Sequence, residues 1–282
     1  MKWRDAWEER FHGLGQTDAV IEELKSGKSI RIEVYCRTKR RAEDIQREFG
    51  GSIRKLKTWT LPKPAKLAPI AIRDALIVSA EPCGKGLEKL RADNPARKVI
   101  SIPPEMAFGT GDHATTATCL RILVDVSREL AGAGEAWDQL DLGMGSGILA
   151  IAGRALGARR VHGYEYDARA LKIARRNVRR HGFTRWIRCE EADVLDWVVP
   201  AGLGRAERYA VITANLFSDV LAATFPKIAR VALPGAHVIV SGILAEDAER
   251  CLEAGRTAGI EFTRVLRRGK WVGARGVVGH RA

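Results

Sequence analysis

Leu140-Asp141-Leu142-Gly143-Met144-Gly145-Ser146-Gly147, followed 22 residues after Gly143 by Glu165, decides the fold. The stretch reads as the end of a buried strand, a glycine turn and the start of a helix. Glycine reaches positive φ at little cost and lets a ligand approach the backbone. The first turn of a helix leaves N–H groups without intrahelical partners, and these can serve whatever sits in the turn. An acidic residue about 20 positions on, at the end of the next strand, is placed to accept hydrogen bonds from ribose hydroxyls. The stretch therefore predicts a site for a molecule that carries a ribose.

Glycine spacing narrows the choice. A dinucleotide fingerprint, G-x-G-x-x-G, needs its third glycine at position 148. That position is Ile148, which disfavours a nicotinamide cofactor. The glycines fall instead as G-x-G-x-G behind Asp141. This D-x-G-x-G-x-G pattern resembles motif I of the Rossmann-like methyltransferases that use S-adenosyl-L-methionine.

Outward from this turn the chain alternates strand and helix. A helix over 113–130 precedes a strand at 139–142 and a helix at 146–156. Strand 161–166 and helix 168–181 follow, then strands at 186–190 and 209–214. Helix 218–231, strand 237–241 and helix 246–258 lead to two β segments, 260–267 and 270–278, joined as a hairpin about Arg268-Gly269. Such alternation argues for a parallel α/β sheet. Ligands in open α/β sheets sit outside the carboxyl ends of the strands, and three polar residues fall there. Glu165 ends the second strand. Asp193 follows the third, where a carboxylate suits an adenine amino group. Asn215 ends the fourth. Asp and Asn also favour helix N-caps and turns, but three at successive strand ends are harder to attribute to capping alone.

The N-terminal part reads differently. Residues 1–57 suggest a small α+β domain: a helix over Ala19 to Leu24, a strand over Ser29 to Cys36, a helix from Lys39 to Phe49 closed by Gly50-Gly51, and a strand from Gly51 to Thr60. Pro62, Pro64 and Pro69 suggest a linker, so 58–104 is expected to be a linker and β-rich connection before a cofactor domain over 105–282. The 282 residues are 46% hydrophobic, enough for a sizeable core. No apolar run reaches the roughly 18 residues that span a bilayer, and the first ten residues hold no apolar signal region. Five cysteines lack any C-x-x-C pair and suggest free thiols in the cytoplasm. No zinc-ligand spacing stands out, so no metal is expected. The net charge of +13 favours an acidic partner such as RNA or a ribosomal assembly, although a basic proteome gives the same balance.

A second motif, Pro104-Glu105-Met106-Ala107-Phe108-Gly109-Thr110-Gly111-Asp112-His113-Ala114-Thr115-Thr116, makes a resemblance specific. With Asp141 to Ala152, Ile212 to Leu221 and the tail Leu233-Pro234-Gly235, it strongly resembles the ribosomal protein L-eleven methyltransferase (PrmA) family over roughly residues 60–278. The family pattern in the loop is close to P-G-x-A-F-G-T-G-T-H-P-T-T. The resemblance implies a Rossmann-like seven-stranded methyltransferase sheet behind a smaller substrate-recruiting domain, with S-adenosyl-L-methionine as cofactor. Carried onto this chain, the donor-binding positions are Thr116, Gly143, Glu165 and Asn215. Phe108, Thr110, Asp141, Gly145, Gly147 and Asp193 complete the expected cofactor set. The family usually has Asp where this chain has Glu165, which keeps the carboxylate. Asp112 and Ala114 replace the usual Thr and Pro. Residues 1–57 do not obviously match the family's recruiting domain.

Methyl transfer from a sulfonium is an in-line displacement, so the protein must position the nucleophile and exclude water. The reading is an S-adenosylmethionine-dependent N-methyltransferase acting on lysine or α-amino groups, with a ribosomal protein as partner. Asn215 is the expected catalytic residue, and the loop from Phe108 to His113 closes over the cofactor. Asn215 touching only the donor's methionine part is an equal alternative. His113 fits a loop-bonding role better than that of a base. The six basic residues of helix 168–181 fit a solvated face better than an RNA contact. An RNA or small-molecule methyltransferase, and a non-catalytic ribosome- or RNA-associated protein with a vestigial cofactor fold, are the alternatives.

Overall fold

The computed structural model describes residues 19–23, 30–36, 38–54, 68–82, 84–103 and 113–279, and the chain divides into two compact units, Met1–Pro64 and Ala65–Ala282. In the smaller unit β1 (Ala19–Glu23) pairs antiparallel with β2 (Ile30–Val34), from Ala19 opposite Val34 to Glu23 opposite Ile30. β1 corrects the expected helix over Ala19 to Leu24. β-branched Val20 and Ile21 suit an extended backbone, and a neighbouring strand overrides the weak local helix preference. α1 (Lys39–Phe49) has the expected bounds: Thr38 caps it by accepting the Arg41 N–H at 3.3 Å, and Gly50 ends it. No strand forms over 51–54, and the rest of the strand expected to Thr60 lies outside the described residues.

The larger unit begins with a three-stranded sheet of β3 (Ile70–Ile72), β4 (Leu76–Ser79) and β5 (Lys98–Ser101). The β4–β5 pair is parallel and is bridged by α2 (Lys85–Ala92), a helix the sequence reading missed. Leu87 is its buried residue, so it carries little apolar periodicity. The β-rich connection thus sits with the larger unit.

The main sheet has seven strands in the order β11-β12-β10-β9-β6-β7-β8. They are β6 (Gln139–Leu142), β7 (Val161–Glu165), β8 (Ile187–Glu191), β9 (Tyr209–Asn215), β10 (Ala232–Leu244), β11 (Ile260–Arg268) and β12 (Trp271–Val278). Neighbours from β8 to β10 are parallel, and β12 runs antiparallel to both β10 and β11. Side chains alternate between two covered faces, as a buried parallel sheet requires. Val211 and Ile239 pack with α3 (Ala114–Gly132), α4 (Ile148–Ala155), α5 (Ala168–Arg180) and the small sheet. Ile212, Val238 and Val240 pack with α6 (Ser218–Val231) and α7 (Ala248–Thr257), around Leu221, Phe225 and Leu252. The α/β class and the seven-stranded sheet agree with the sequence reading. The described cysteines Cys36, Cys119, Cys189 and Cys251 are free thiols.

Candidate functional site

The sheet order reverses direction at β6, which lies between β7 and β9. Such a switch point opens a crevice at the carboxyl ends of the strands. β6 enters it through Gly143, Gly145 and Gly147, all at positive φ (67°, 52° and 81°). A Cβ on Gly143 would lie 2.3 Å from the movable tip of Leu216, Cδ2, so it is the φ of 67° that favours glycine where the turn passes the end of β9. Met144 N–H donates to Tyr164 O at 2.9 Å, and Gly147 N–H to Met144 O at 2.7 Å. Glu165 is buried at the end of β7. Its Oε2 accepts the Gly145 N–H at 2.8 Å and its Oε1 the Asp167 N–H at 3.1 Å. Each carboxylate oxygen keeps lone-pair capacity for a further donor such as a ribose hydroxyl. From α5, the buried Asn177 donates through Nδ2 to Ser146 O at 2.9 Å and holds the turn from behind.

A polar ladder climbs toward the crevice on the face covered by α3 and α4. Gln139 and Asp141 occupy alternate positions of β6, and Thr213 lies opposite Asp141 on β9. All three are fully buried. Gln139 Nε2 donates to Thr213 Oγ1 at 3.0 Å and to Leu149 O at 3.2 Å. Thr213 Oγ1 donates to Asp141 Oδ1 at 2.6 Å, and Asp141 Oδ2 accepts the Ala150 N–H at 3.1 Å. Asp141 therefore fastens the first turn of α4 to the sheet. Asn215 is two residues beyond Thr213 and so on the same face. Its Nδ2 donates to Thr116 Oγ1 at 3.3 Å, while its buried Oδ1 has no partner among the described residues. An unsatisfied buried acceptor costs about 1–3 kcal/mol, which a ligand donor would recover.

Thr116 sits in the first turn of α3, whose N-cap is His113. His113 Nδ1 accepts the Thr115 N–H at 3.4 Å and lies 2.8 Å from Thr115 Oγ1. The ring meets Trp271 edge-on at 5.3 Å. The ring thus bonds the backbone of the first turn of α3. Asp193 is exposed and accepts the Leu195 N–H at 2.8 Å, opening a turn after β8. Phe108, Thr110 and Asp112 lie outside the described residues. The structure thus joins Glu165 to the glycine turn and Thr116 to Asn215, with Asp141 beneath them. Tyr166, Leu195 and Phe217 stand exposed just after β7, β8 and β9, beside the polar candidates.

Sequence reasoning missed Gln139, Thr213, Asn177 and Gly242. Polar residues inside the apolar runs of β6 and β9 were the available signal for the first two. Gly242, in β10, stands at φ 87°, and a Cβ there would lie 2.4 Å from Leu216 O. Leu216 N–H also donates to Ser241 O at 3.0 Å, so β10 fixes the backbone next to Asn215. Gly242→Ala is expected to destabilise the fold by about 3 kcal/mol, from left-handed strain and a backbone clash. Urea denaturation checks this, and a loss under about 1 kcal/mol would contradict the close approach.

The partly buried histidines and the buried Asp141 give opposite responses to pH. His181 Nδ1 donates to Asn177 O at 2.8 Å and Nε2 accepts the Ser101 N–H at 3.0 Å, so a neutral ring ties α5 to β5. Burial lowers its pKa below 6.5, as it does for His162 and His237. Their contribution is fully present above pH 6.5 and is lost as pH falls through the lowered folded values. Burial raises Asp141 from 3.8 to about 7, so its contribution is fully present below pH 3.8 and is lost as pH rises through about 7. Between those limits the two oppose each other. Asp141→Asn removes the acid arm, so its melting temperature is expected to fall more steeply than wild type from about pH 7 to about pH 5. Parallel profiles would contradict the assignment.

Among the described residues no group of three or more His, Cys, Asp or Glu could hold a metal ion, and no helix is long and apolar enough to cross a membrane. The sequence is 37% identical over 174 residues to a ribosomal protein L11 methyltransferase of Pelotomaculum thermopropionicum, covering 62% of this chain and 52% of that one. It is 34% identical over 217 residues to one of Desulfatibacillum aliphaticivorans, covering 76% of this chain and 64% of that one. The chain therefore spans about half to two thirds of the length of these curated relatives. A crystal structure of a ribosomal protein L11 methylase from Lactobacillus delbrueckii subsp. bulgaricus shares the fold, with a TM-score of 0.59 at 23% identity over 76% of this chain and all of that one. The sequence profile that describes the ribosomal protein L11 methyltransferases (PrmA) matches residues 16–277, taking in the glycine turn, Glu165 and Asn215 alike, and the chain belongs to that family.

Proposed function

We propose that this chain transfers a methyl group from S-adenosyl-L-methionine to an amine of a ribosomal protein, on lysine or on an α-amino group. The observation that carries the reading is the buried Glu165 carboxylate hydrogen-bonded to Gly145 of the glycine turn, at the switch point of the sheet. Those residues fit the cofactor. Glu165 suits a ribose diol, the N–H groups of Ile148 and Leu149 at the start of α4 suit a carboxylate, and Asp193 suits the adenine amino group. Tyr166 and Leu195 offer apolar surface beside these groups to a flat ring. When bound, S-adenosylmethionine supplies an electrophilic methyl on a positively charged sulfur.

The chain's own residues then have to prepare the amine. A lysine amine, with a reference pKa of about 10.4, arrives charged and must release a proton before it can attack. An apolar crevice lowers that pKa by disfavouring the ammonium, and the proton leaves to solvent. Asn215 Oδ1 accepts an N–H of the neutral amine and aims its lone pair. Thr116 keeps the amide from turning over, because it already holds Nδ2. Asp141 acts through the turn that it anchors. The family relationship supports a ribosomal protein as substrate, and the cytoplasm as the place of work.

Transfer of labelled methyl from S-adenosylmethionine into a methylation-deficient bacterial lysate tests the reading, with the product split between protease and nuclease. Label lost to protease and kept with nuclease, in a band at the size of a ribosomal protein, is expected. Label lost to nuclease would replace the protein substrate with RNA.

A further inference from the structure

The chain carries 47 Lys and Arg against 34 Asp and Glu, and part of that excess is crowded on one face. Arg121 leaves α3 five residues beyond Thr116, about 7.5 Å along the helix axis. Burial, and then the charges of Arg268 and Arg73, hold its guanidinium pKa down. Arg73 lies in the turn between β3 and β4 at φ 52°, the non-glycine residue with positive φ among the described residues. Arg268 ends β11. One carboxylate, Asp125, serves this group. It accepts Arg73 Nη2 at 2.8 Å and Arg264 Nη1 at 3.0 Å, so two guanidiniums share it. Neither Arg121 nor Arg268 has an ion-pair partner among the described residues. Nearby Asp74 is already paired with Arg128. Two guanidiniums therefore share Asp125, and the charges of Arg121 and Arg268 are left without a carboxylate among the described residues.

Crowded like charges destabilise a folded chain unless a polyanion meets them. Guanidiniums match phosphate with two parallel N–H donors, which suits a phosphate backbone. A protein partner would want a buried aromatic anchor, and the large apolar side chain exposed on β11 is Val265 alone. The face also adjoins the crevice: Arg268 leads through Gly269 and Lys270 to Trp271, whose ring meets His113 at the cap of α3. The outer side of α5 has basic residues too, but no comparable convergence of three elements on one carboxylate.

We propose that the face built by α3, the β3–β4 turn and β11 binds the phosphate backbone of RNA beside the crevice. Binding here does not depend on methyl transfer, so it can fail or hold independently of the proposed activity.

Fluorescence anisotropy of a labelled RNA hairpin with the full chain, over a series of salt concentrations, tests this. The triple variant R73Q/R121Q/R268Q is expected to bind about tenfold or more weakly, and to reduce the slope of log affinity against log salt by about 2 to 3. R73K/R121K/R268K keeps the charge and should keep most of the slope, which separates phosphate binding from misfolding. K172Q/R179Q/R185Q removes the same charge from the α5 side and should stay within about threefold of wild type. An equal loss in that control would show that net charge alone binds RNA, and would overturn the proposal. Polyglutamate competing as well as RNA at equal charge would assign the face to an acidic protein and overturn it as well.

Discussion

Asn215→Ala is expected to bind S-adenosylmethionine only modestly less well than the parent chain and to lose turnover by about 100- to 1000-fold. The magnitude follows from where the amide sits. Its Nδ2 is held by Thr116 Oγ1 and its buried Oδ1 has no partner among the described residues, so the side chain has one acceptor to offer. An acceptor that is already in place stabilises the amine as its lone pair begins to bond, and needs no reorganisation at that moment. Truncation to alanine removes it and leaves only water, which disorders the amine and restores its preference for the charged form. Single-turnover transfer and a separate donor titration divide the two effects. A donor Kd weakened by about a hundredfold with unchanged turnover would place Asn215 on the methionine part of the donor instead.

Glu165→Ala carries the second large effect, this time on binding. The carboxylate accepts two backbone N–H groups of the chain and has capacity left for a ribose diol. Charge-assisted hydrogen bonds are worth about 1.5–3 kcal/mol each, so losing two to the ribose weakens the donor by at least about 100-fold. The same truncation frees the Gly145 N–H and loosens the turn, adding to the loss. Glu165→Asp keeps the charge one methylene shorter and should fall within about tenfold of the parent, because the two acceptors survive. Calorimetric titration reads both. An unchanged Kd for the alanine variant would remove Glu165 from the site.

Much of this site could be read from residue order because its parts are local. The glycines of the turn must take positive φ wherever β6 ends, and Glu165 follows at the spacing of one helix and one strand. Long alternating elements such as β9 and α6 announced themselves by period. The ladder of Gln139, Thr213 and Asp141 was not legible, because its members are 74 and 72 residues apart and meet only once β6 and β9 pair. Gly242 likewise looks like an ordinary strand glycine until Leu216 is found against it. β1 departs from the expected helix because a five-residue segment with Val20, Ile21 and two glutamates fits either state, and pairing with β2 decides it. α2 leaves little apolar period in the sequence because Leu87 is its buried residue.

Amide hydrogen exchange of the full chain with and without S-adenosylmethionine locates the cofactor directly. New protection is expected at Gly143 to Ile148, at Glu165 to Asp167 and around Asn215. Protection elsewhere, or none at saturating donor, would contradict the assignment of the cofactor to this crevice.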